Sequence, residues 1–180
     1  SLFVHGYITV EGQKMSKSLG NVINPTYLID KYGKDEIRYF MIREIPPFDD
    51  GDFSEKALVE RVNTELVSNF SNLFYRVTSF IEKNFDGKIP KGKLRTEEKK
   101  IDKIFTKKIR SIEEQMDEYR LNETLDTVMS LSTELNKYFQ SKKPWEDPKK
   151  ANLALYFAAN KLRDICILLH PFIPFAAEKA

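Results

Sequence analysis

Apolar residues recur every three or four positions through most of the chain beyond residue 53, which is the spacing of one face of an α-helix. This pattern predicts four long helices, over residues 54–84, 96–119, 122–142 and 147–170. Each begins at a residue suited to capping a helix N-terminus, and these residues are Ser54, Thr96, Asn122 and Asp147. Four long helices joined by short connections predict a helix bundle.

The first 53 residues show a different pattern. Residues 3–10 are rich in β-branched and aromatic side chains and predict a strand, and residues 11–25 contain glycines and a proline and predict a loop. Two short helices are predicted over residues 26–31 and 35–43, and the prolines within 44–52 exclude a continuing helix. We therefore place a module boundary after residue 52. A strand this isolated leaves an unpaired sheet edge, so we expect it to be disordered, domain-swapped or paired with another chain.

Composition limits the possible classes of protein. The chain has 180 residues, of which 41% are hydrophobic and 31% charged, as expected for a globular protein. Cys166 is the only cysteine, which excludes an internal disulfide and a multi-cysteine zinc site, and we expect no metal to be bound by this chain. No apolar run reaches the ~20 residues that cross a bilayer, and no signal peptide is apparent, so we expect a cytoplasmic protein.

Basic residues are concentrated between positions 88 and 110, although the whole chain carries a net charge of only +2. This segment contains ten bases and three acids. It is interpreted either as a solvated helix face that follows a loop or as a patch near a phosphate backbone, and the sequence leaves both open.

The segment Lys14-Met15-Ser16-Lys17-Ser18, called here the KMSKS loop, lies between Gly12 and Gly20. Two lysines three residues apart can converge on one polyanion if the chain turns between them, and the serine hydroxyls add donors. The glycines permit a hinge on either side. These features predict a mobile phosphate-binding loop, the alternative being solvated surface lysines.

The order His5-Gly6, Gly12 and then residues 14–25 resembles the second signature of class I aminoacyl-tRNA synthetases. The resemblance implies that the KMSKS loop lies beside ATP and its Mg²⁺ at the edge of a nucleotide-binding sheet. It also implies that Lys17 neutralises charge on the departing pyrophosphate during amino-acid activation and that Lys14 assists. The implied catalytic residues are Lys14, Met15, Ser16, Lys17 and Ser18, of which the two lysines contact the ATP phosphates.

The long first helix narrows the resemblance within this class. Residues 61–76, the Pro144-Trp145 pair and the tail from His170 to Pro174 resemble methionyl-tRNA synthetases, and the resemblance covers nearly the whole chain. It implies that Asn72, Arg76 and Trp145 recognise the anticodon of methionine tRNA, chiefly its first base, cytosine. An equivalent segment of a leucyl- or valyl-type synthetase is an alternative.

The residue types suit that role. Asn72 and Arg76 are four residues apart and share a helix face, where an amide and a guanidinium can read the edge of an unstacked base. Trp145 lies in a proline-fixed turn and can stack on a base. The structural alternatives are that Asn72 caps or bridges helices, that Arg76 pairs with an acid and that Trp145 belongs to the core.

The family's first signature, H-x-G-H, is absent from these 180 residues. The resemblance therefore implies a mainly α chain with two parts. Residues 1–52 hold the KMSKS loop and a short strand-loop-helix stem-contact module from the end of a nucleotide-binding domain. Residues 53–180 form the anticodon-binding bundle. The expected function is that of the C-terminal half of a methionine–tRNA ligase, inactive alone, with methionine tRNA and the N-terminal catalytic half as partners. A naturally split heterodimer is favoured over an excised fragment, and a stand-alone non-catalytic tRNA-binding module is the rival function.

Overall fold

The computed structural model describes residues 6–180, which are mostly helical with one small sheet. The sheet has the strand order β2-β1-β3: β1 (Ile8–Val10) pairs antiparallel with β2 (Gln13–Lys14) and parallel with β3 (Gly51–Phe53). The predicted strand is thus confirmed over Ile8–Val10, and its first residues, 3–5, lie outside the described residues. The expectation of an unpaired edge is wrong for Ile8–Val10, because both neighbouring strands come from the same chain.

The turn between β1 and β2 is fixed by its backbone and by Asp52. Glu11 and Gly12 both have positive φ angles, of 50° and 75°, as a two-residue hairpin turn requires. The Asp52 carboxylate accepts hydrogen bonds from the Thr9 hydroxyl at 2.7 Å and from the Gly12 amide at 2.8 Å. These two bonds lower the pKa of Asp52. The hairpin that leads into the KMSKS loop is therefore held to β3.

Two short helices follow the loop, as predicted: α1 (Pro25–Tyr32) and α2 (Lys34–Glu44). Asn24 caps α1, since its side-chain oxygen accepts from the Thr26 amide at 2.9 Å. Gly33, at a φ of 100°, separates the two helices. A small apolar core joins them to the sheet and to the start of the next helix, through Leu28, Phe40, Phe53 and Leu58.

The long helix predicted from Ser54 forms, but it is not α-helical throughout. It consists of α3 (Glu55–Arg61), a π-helical segment (Val62–Ser71) and α4 (Asn72–Phe85). Ser54 is the cap, as predicted, and its hydroxyl accepts from the Ala57 amide at 3.2 Å. In the π-helical segment the hydrogen bonds run to the fifth residue back, as from the Asn72 amide to the Val67 carbonyl. The wider turns change which side chains of α4 share a face with α3.

The other three long helices complete the predicted bundle. They are α5 (Thr96–Asp117), α6 (Leu121–Lys142) and α7 (Asn152–Leu169), followed by the short α8 (Pro174–Lys179). α6 packs against α5, α7 and the π-helical segment, and α4 packs against α7. The core contains fully buried side chains from α4, α5, α6 and α7, including Leu73, Phe105, Leu131, Leu135 and Phe157. None of the helices described in residues 6–180 combines the length and apolarity that a membrane crossing needs.

Two predicted caps and one helix start are corrected by the structure. Thr96 lies inside α5 because the Glu98 carboxylate reaches back to accept the Arg95 amide at 3.1 Å, which moves the cap to Arg95. Asn122 lies inside α6, which begins at Leu121. Asp147 and Pro148 begin a single 3-10 turn (Pro148–Lys150), and α7 starts only at Asn152.

A cluster of four side chains, called here the Glu65 cluster, joins α2 to the long helix. The Glu65 carboxylate accepts from the Tyr39 hydroxyl at 2.5 Å, from Arg61 Nη1 at 2.9 Å and from Arg43 Nε at 3.2 Å. Burial and the adjacent carboxylate raise the pKa of Tyr39, so its hydroxyl keeps the proton that it donates. α2 is therefore fixed to the bundle by polar contacts as well as by the apolar core.

A second contact joins α2 to the end of the chain. Arg38 donates to the carbonyls of Pro171 and Phe172, at 2.9 Å and 3.2 Å, and Asp35 accepts from the Ala176 amide at 2.6 Å. Because α2 contacts both the start and the end of the bundle, its position relative to the bundle is set from two sides.

Candidate functional site

The KMSKS loop forms a compact turn. The Ser16 amide donates to the Asn21 side chain at 2.8 Å, and Asn21 in turn donates to the Lys14 carbonyl at 3.2 Å. Within the turn, Leu19 donates to the Ser16 carbonyl and Gly20 to the Lys17 carbonyl, and the Ser16 and Ser18 hydroxyls lie 2.7 Å apart. Asn21 thus closes the loop, a role that its position in the motif did not reveal.

The two lysines of the loop are exposed to solvent. The Lys14 ammonium lies 5.6 Å from the ring centre of Tyr7, and neither lysine forms an ion pair with any residue of the described range 6–180. Two cations that have no acidic partner among the described residues can bind a polyanion. His5, which belongs to the same motif, lies outside the described residues.

A cleft lies between α4 and the C-terminal end of α6, under the turn that carries Trp145. Its volume is about 590 Å³. The Arg76 guanidinium carbon lies 5.4 Å from the ring centre of Phe139 and 5.5 Å from that of Trp145, and Arg76 Nη2 donates to Gln140 Oε1 at 2.9 Å. The structure therefore brings Arg76 and Trp145 together, as predicted from the resemblance.

Trp145 has an accessible face, since 44% of its surface is exposed and its ring meets Phe139 edge-on at 6.2 Å. Asn72 is exposed one turn before Arg76 on α4, and its side chain forms no hydrogen bond with any of the described residues. It does not line the cleft itself. None of the three predicted residues is buried, but the structure brings only Arg76 and Trp145 together in the cleft, and Asn72 lies outside it.

Five further residues that line the cleft were not anticipated from the sequence, namely Ser79, Phe80, Lys83, Phe139 and Gln140. Phe139 contacts Arg76 from the side opposite to solvent, Gln140 holds its guanidinium, and the Phe80 ring and the Lys83 ammonium complete the wall on α4. Phe80 and Phe139 had been assigned to the helical apolar pattern. Gln140 and Lys83 are ordinary polar residues of helix surfaces, so no sequence signal distinguished them.

A buried carboxylate supports the last turn of α6. Glu98 is only 2% exposed, accepts from the Tyr138 hydroxyl at 2.9 Å, and lies 3.7 Å from the Lys142 ammonium. Burial opposes its ionisation, but these partners and the Arg95 amide outweigh burial and lower the pKa of Glu98. The turn of helix that carries Phe139 and Gln140 is thereby fixed to α5.

The basic segment adds a separate charged surface. Lys100, Lys103, Lys107 and Arg110 follow one another at spacings of three or four along α5, all are exposed, and none forms an ion pair within the described part of the chain. Lys108 differs, since it donates to the Ser130 hydroxyl at 2.7 Å. The two interpretations of this segment, a solvated face and a phosphate-binding patch, both remain compatible with this arrangement.

No group of three or more histidine, cysteine, aspartate or glutamate side chains within residues 6–180 is arranged to hold a metal ion. The two candidate sites of the described chain therefore consist of cations, aromatic rings and amides. Such groups bind phosphates and bases.

Comparisons with known proteins identify the family to which the chain is similar. Residues 1–78 match the family model described as tRNA synthetases class I (M), and residues 98–180 match that of the anticodon-binding domain of tRNA ligases. The methionine–tRNA ligase of Rickettsia felis is 41% identical over 99% of this chain, and that of Thermotoga maritima is 37% identical over 99%.

A solved structure gives the same result at the level of the fold. The methionyl-tRNA synthetase of Mycobacterium tuberculosis, in complex with methionyl-adenylate, matches 97% of this chain with a TM-score of 0.91 and 30% identity. The present chain covers 36% of that protein, 36% of the Rickettsia relative and 29% of the Thermotoga relative. The chain belongs to the methionyl-tRNA synthetase family and spans about a third of the length of these relatives.

Proposed function

We propose that this chain binds the anticodon of methionine tRNA through the cleft of Arg76 and Trp145 and supplies the KMSKS loop to the active site of a methionine–tRNA ligase. Residues 1–52 act as the loop and stem-contact module and residues 53–180 as the anticodon-binding bundle. The observation that carries the proposal is the exposed cleft in which one guanidinium contacts two aromatic rings that also contact each other.

In the cleft, an unstacked base lies against the accessible face of Trp145. Base–aromatic stacking is worth about 1–3 kcal/mol and is tolerant of sequence. Arg76 uses one of its five N–H groups on Gln140, and the other four are available to the base edge or to a phosphate. Asn72, at the approach to the cleft, contacts the same nucleotide or its neighbour.

At the KMSKS loop, the chemistry is the attack of the methionine carboxylate on the α-phosphate of ATP, with pyrophosphate as the leaving group. Lys17 and Lys14 donate to the β- and γ-phosphates and stabilise the negative charge that grows on pyrophosphate. Ser16 and Ser18 add hydroxyl donors, and Met15 packs beneath the turn. The ATP, its Mg²⁺ and the methionine are held by the N-terminal catalytic half, and no described residue of this chain is assigned to the metal.

Anticodon binding is tested by titrating the 180-residue chain with an anticodon stem–loop RNA of sequence CAU at a stated salt concentration. Trp145→Ala and Arg76→Ala are expected to weaken binding roughly tenfold or more, because each removes a contact worth about 1–3 kcal/mol. The matched control is Tyr75→Ala, which removes an aromatic ring that is 70% exposed on the same helix and lies outside the cleft. Equal losses in all three variants would show that the cleft is not the binding site.

The loop is tested by mixing the chain with an N-terminal catalytic half and measuring methionine-dependent ATP–pyrophosphate exchange. The isolated chain is expected to be inactive, and the mixture active. Lys17→Ala is expected to abolish the exchange while leaving stem–loop binding intact, and Lys56→Ala, at an exposed lysine of α3, serves as the control. Exchange that survives Lys17→Ala would contradict the role assigned to the loop.

The rival function, a tRNA-binding module without a catalytic role, needs the cleft but not the loop. Lys14 and Lys17, which form no ion pair within residues 6–180 and lie on a turn closed by Asn21, argue against it, because anticodon binding does not require them. The relatives reported above are methionine enzymes, and this favours methionine over the leucyl- or valyl-type alternative.

A further inference from the structure

The contact between Arg76 and Gln140 determines which way the Gln140 amide faces. Arg76 Nη2 donates to Gln140 Oε1 at 2.9 Å. A guanidinium has no acceptor, so the NH₂ group of the amide cannot take that place without two donors opposing each other. Gln140 Oε1 is therefore held beside Arg76, and its second lone pair remains available in the cleft.

The cleft then presents hydrogen-bonding groups in a fixed order. Arg76 provides N–H donors, and Gln140 Oε1 provides an acceptor directly beside them, while Trp145 gives the ring on which a base stacks. Cytosine shows the complementary order along its Watson–Crick edge: two acceptors, O2 and N3, followed by the N4 amine donor. Uracil shows a donor at N3 and an acceptor at O4, so the Arg76 donors would face a donor and the Gln140 acceptor would face an acceptor.

We propose that Gln140 is a specificity-determining residue that selects cytosine over uracil at the base stacked on Trp145. This inference rests on the proposed anticodon-binding function and assigns the discrimination to a residue outside the Asn72, Arg76 and Trp145 set. Arg76 alone cannot discriminate fully, because uracil also offers O2 to a guanidinium. The acceptor on Gln140 supplies the missing contrast, since an acceptor facing O4 is left unpaired and repelled.

The test compares stem–loop RNAs that differ only at the first anticodon position, cytosine or uracil, binding to the wild-type chain and two variants. The wild type is expected to prefer cytosine roughly tenfold or more, the effect of one well-placed pairing. Gln140→Leu removes the acceptor and is expected to reduce the preference to about threefold or less. Gln140→Glu keeps acceptor oxygens beside Arg76 and is expected to retain the preference.

A third RNA carries pyrimidin-2-one, which is cytosine without its 4-amino group, at the same position. The wild-type chain is expected to bind the pyrimidin-2-one RNA more weakly than the cytosine RNA. Gln140→Leu is expected to bind the two RNAs equally well, which would show that Gln140 contacts the 4-amino group. Because Gln140 is exposed, unchanged thermal unfolding is expected for both variants.

The outcomes separate the two proposals. If the wild-type chain binds no stem–loop, the proposed function fails and this inference fails with it. If wild type binds and prefers cytosine, but Gln140→Leu keeps the same preference, the inference about Gln140 is overturned while the proposed function stands.

Discussion

Removal of the Glu65 carboxylate is expected to destabilise the chain more than the loss of any exposed ion pair. Glu65 accepts hydrogen bonds from Tyr39, Arg43 and Arg61, and its side chain is only 18% exposed. Glu65→Ala leaves a buried phenol without its acceptor and two partly buried guanidiniums without their shared anion. The change therefore tests whether this polar cluster, and not the apolar core alone, fixes α2 to the long helix.

The magnitude follows from the burial of the partners. Removing one member of a buried ion pair costs about 3–5 kcal/mol, whereas an exposed pair contributes about 0–1 kcal/mol. Arg43 keeps Asp126 at 2.7 Å and Arg61 keeps Glu44 at 2.7 Å, which reduces the cost. The orphaned Tyr39 hydroxyl adds to it. We expect Glu65→Ala to lower the free energy of unfolding by about 3 kcal/mol, and Glu65→Gln, which keeps one acceptor oxygen, by about 1 kcal/mol.

The assay is urea unfolding followed by circular dichroism, with the free energy taken from the midpoint and slope. Glu134→Ala is the control, because Glu134 pairs with Lys137 at 3.1 Å on the exposed face of α6. That variant is expected to change the free energy of unfolding by less than ~0.5 kcal/mol. If Glu65→Ala proves no more destabilising than the control, the cluster does not hold α2 in place and the reasoning is refuted.

Three further predictions concern single groups. The pKa of Glu98 is lowered in the folded chain, so the carboxylate stabilises the fold above the ordinary carboxyl pKa of 4.5, and this stabilisation is lost as the pH falls through the lower folded value. Glu98→Gln is therefore expected to make the free energy of unfolding depend less steeply on pH in acid. An unchanged slope would contradict this. Asn24→Ala removes the cap of α1 and is expected to cost about 1 kcal/mol in urea unfolding, and a variant as stable as wild type would exclude the cap. Burial raises the pKa of the Cys166 thiol, so a thiol reagent at neutral pH is expected to react far more slowly with the folded chain than with the chain in urea; similar rates would mean that the thiol is accessible.

The helices of the bundle were predictable because burial imposes a spacing on the sequence. Leu73, Val77, Phe105, Leu131 and Phe157 are all buried, and each belongs to a run of apolar residues three or four apart. The helix ends were less predictable, because a cap depends on which side chain reaches the free amides. Thr96 has the right chemistry for a cap, but Glu98 satisfies the Arg95 amide and moves the helix start.

The π-helical segment and β3 could not be predicted for a different reason. Leu66, Phe70 and Leu73 are spaced as in an ordinary α-helix, so a change in hydrogen-bonding pattern leaves no trace in the apolar pattern. β3 is only three residues long, begins with Gly51, and becomes a strand by pairing with β1 more than forty residues earlier in the sequence. Non-local pairing of so short a segment carries no local signal.

One of the two candidate sites, the KMSKS loop, could be predicted from the sequence, whereas the composition of the cleft could be predicted only in part. Lys14 to Ser18 form a contiguous motif, so a resemblance identifies the loop directly. The cleft, by contrast, depends on contacts between α4 and the end of α6, such as the bond from Arg76 to Gln140 across 64 residues. A resemblance points to Arg76 and Trp145, but only the fold shows that Phe139 and Gln140 determine the orientation of Arg76.

The long helix also sets the distance between the two candidate sites. It begins at Ser54, directly after the β3 residues that anchor the KMSKS hairpin, and continues without interruption to the cleft residue Arg76. At ~1.5 Å per residue, and somewhat less in the π-helical segment, Arg76 lies roughly 30 Å from Ser54 along the helix axis. The Glu65 cluster fixes α2 near the middle of that length, so the separation is set by a rigid element. Under the proposed function the anticodon loop of a tRNA occupies the cleft while the KMSKS loop contacts ATP, and a folded RNA is long enough to connect these two positions.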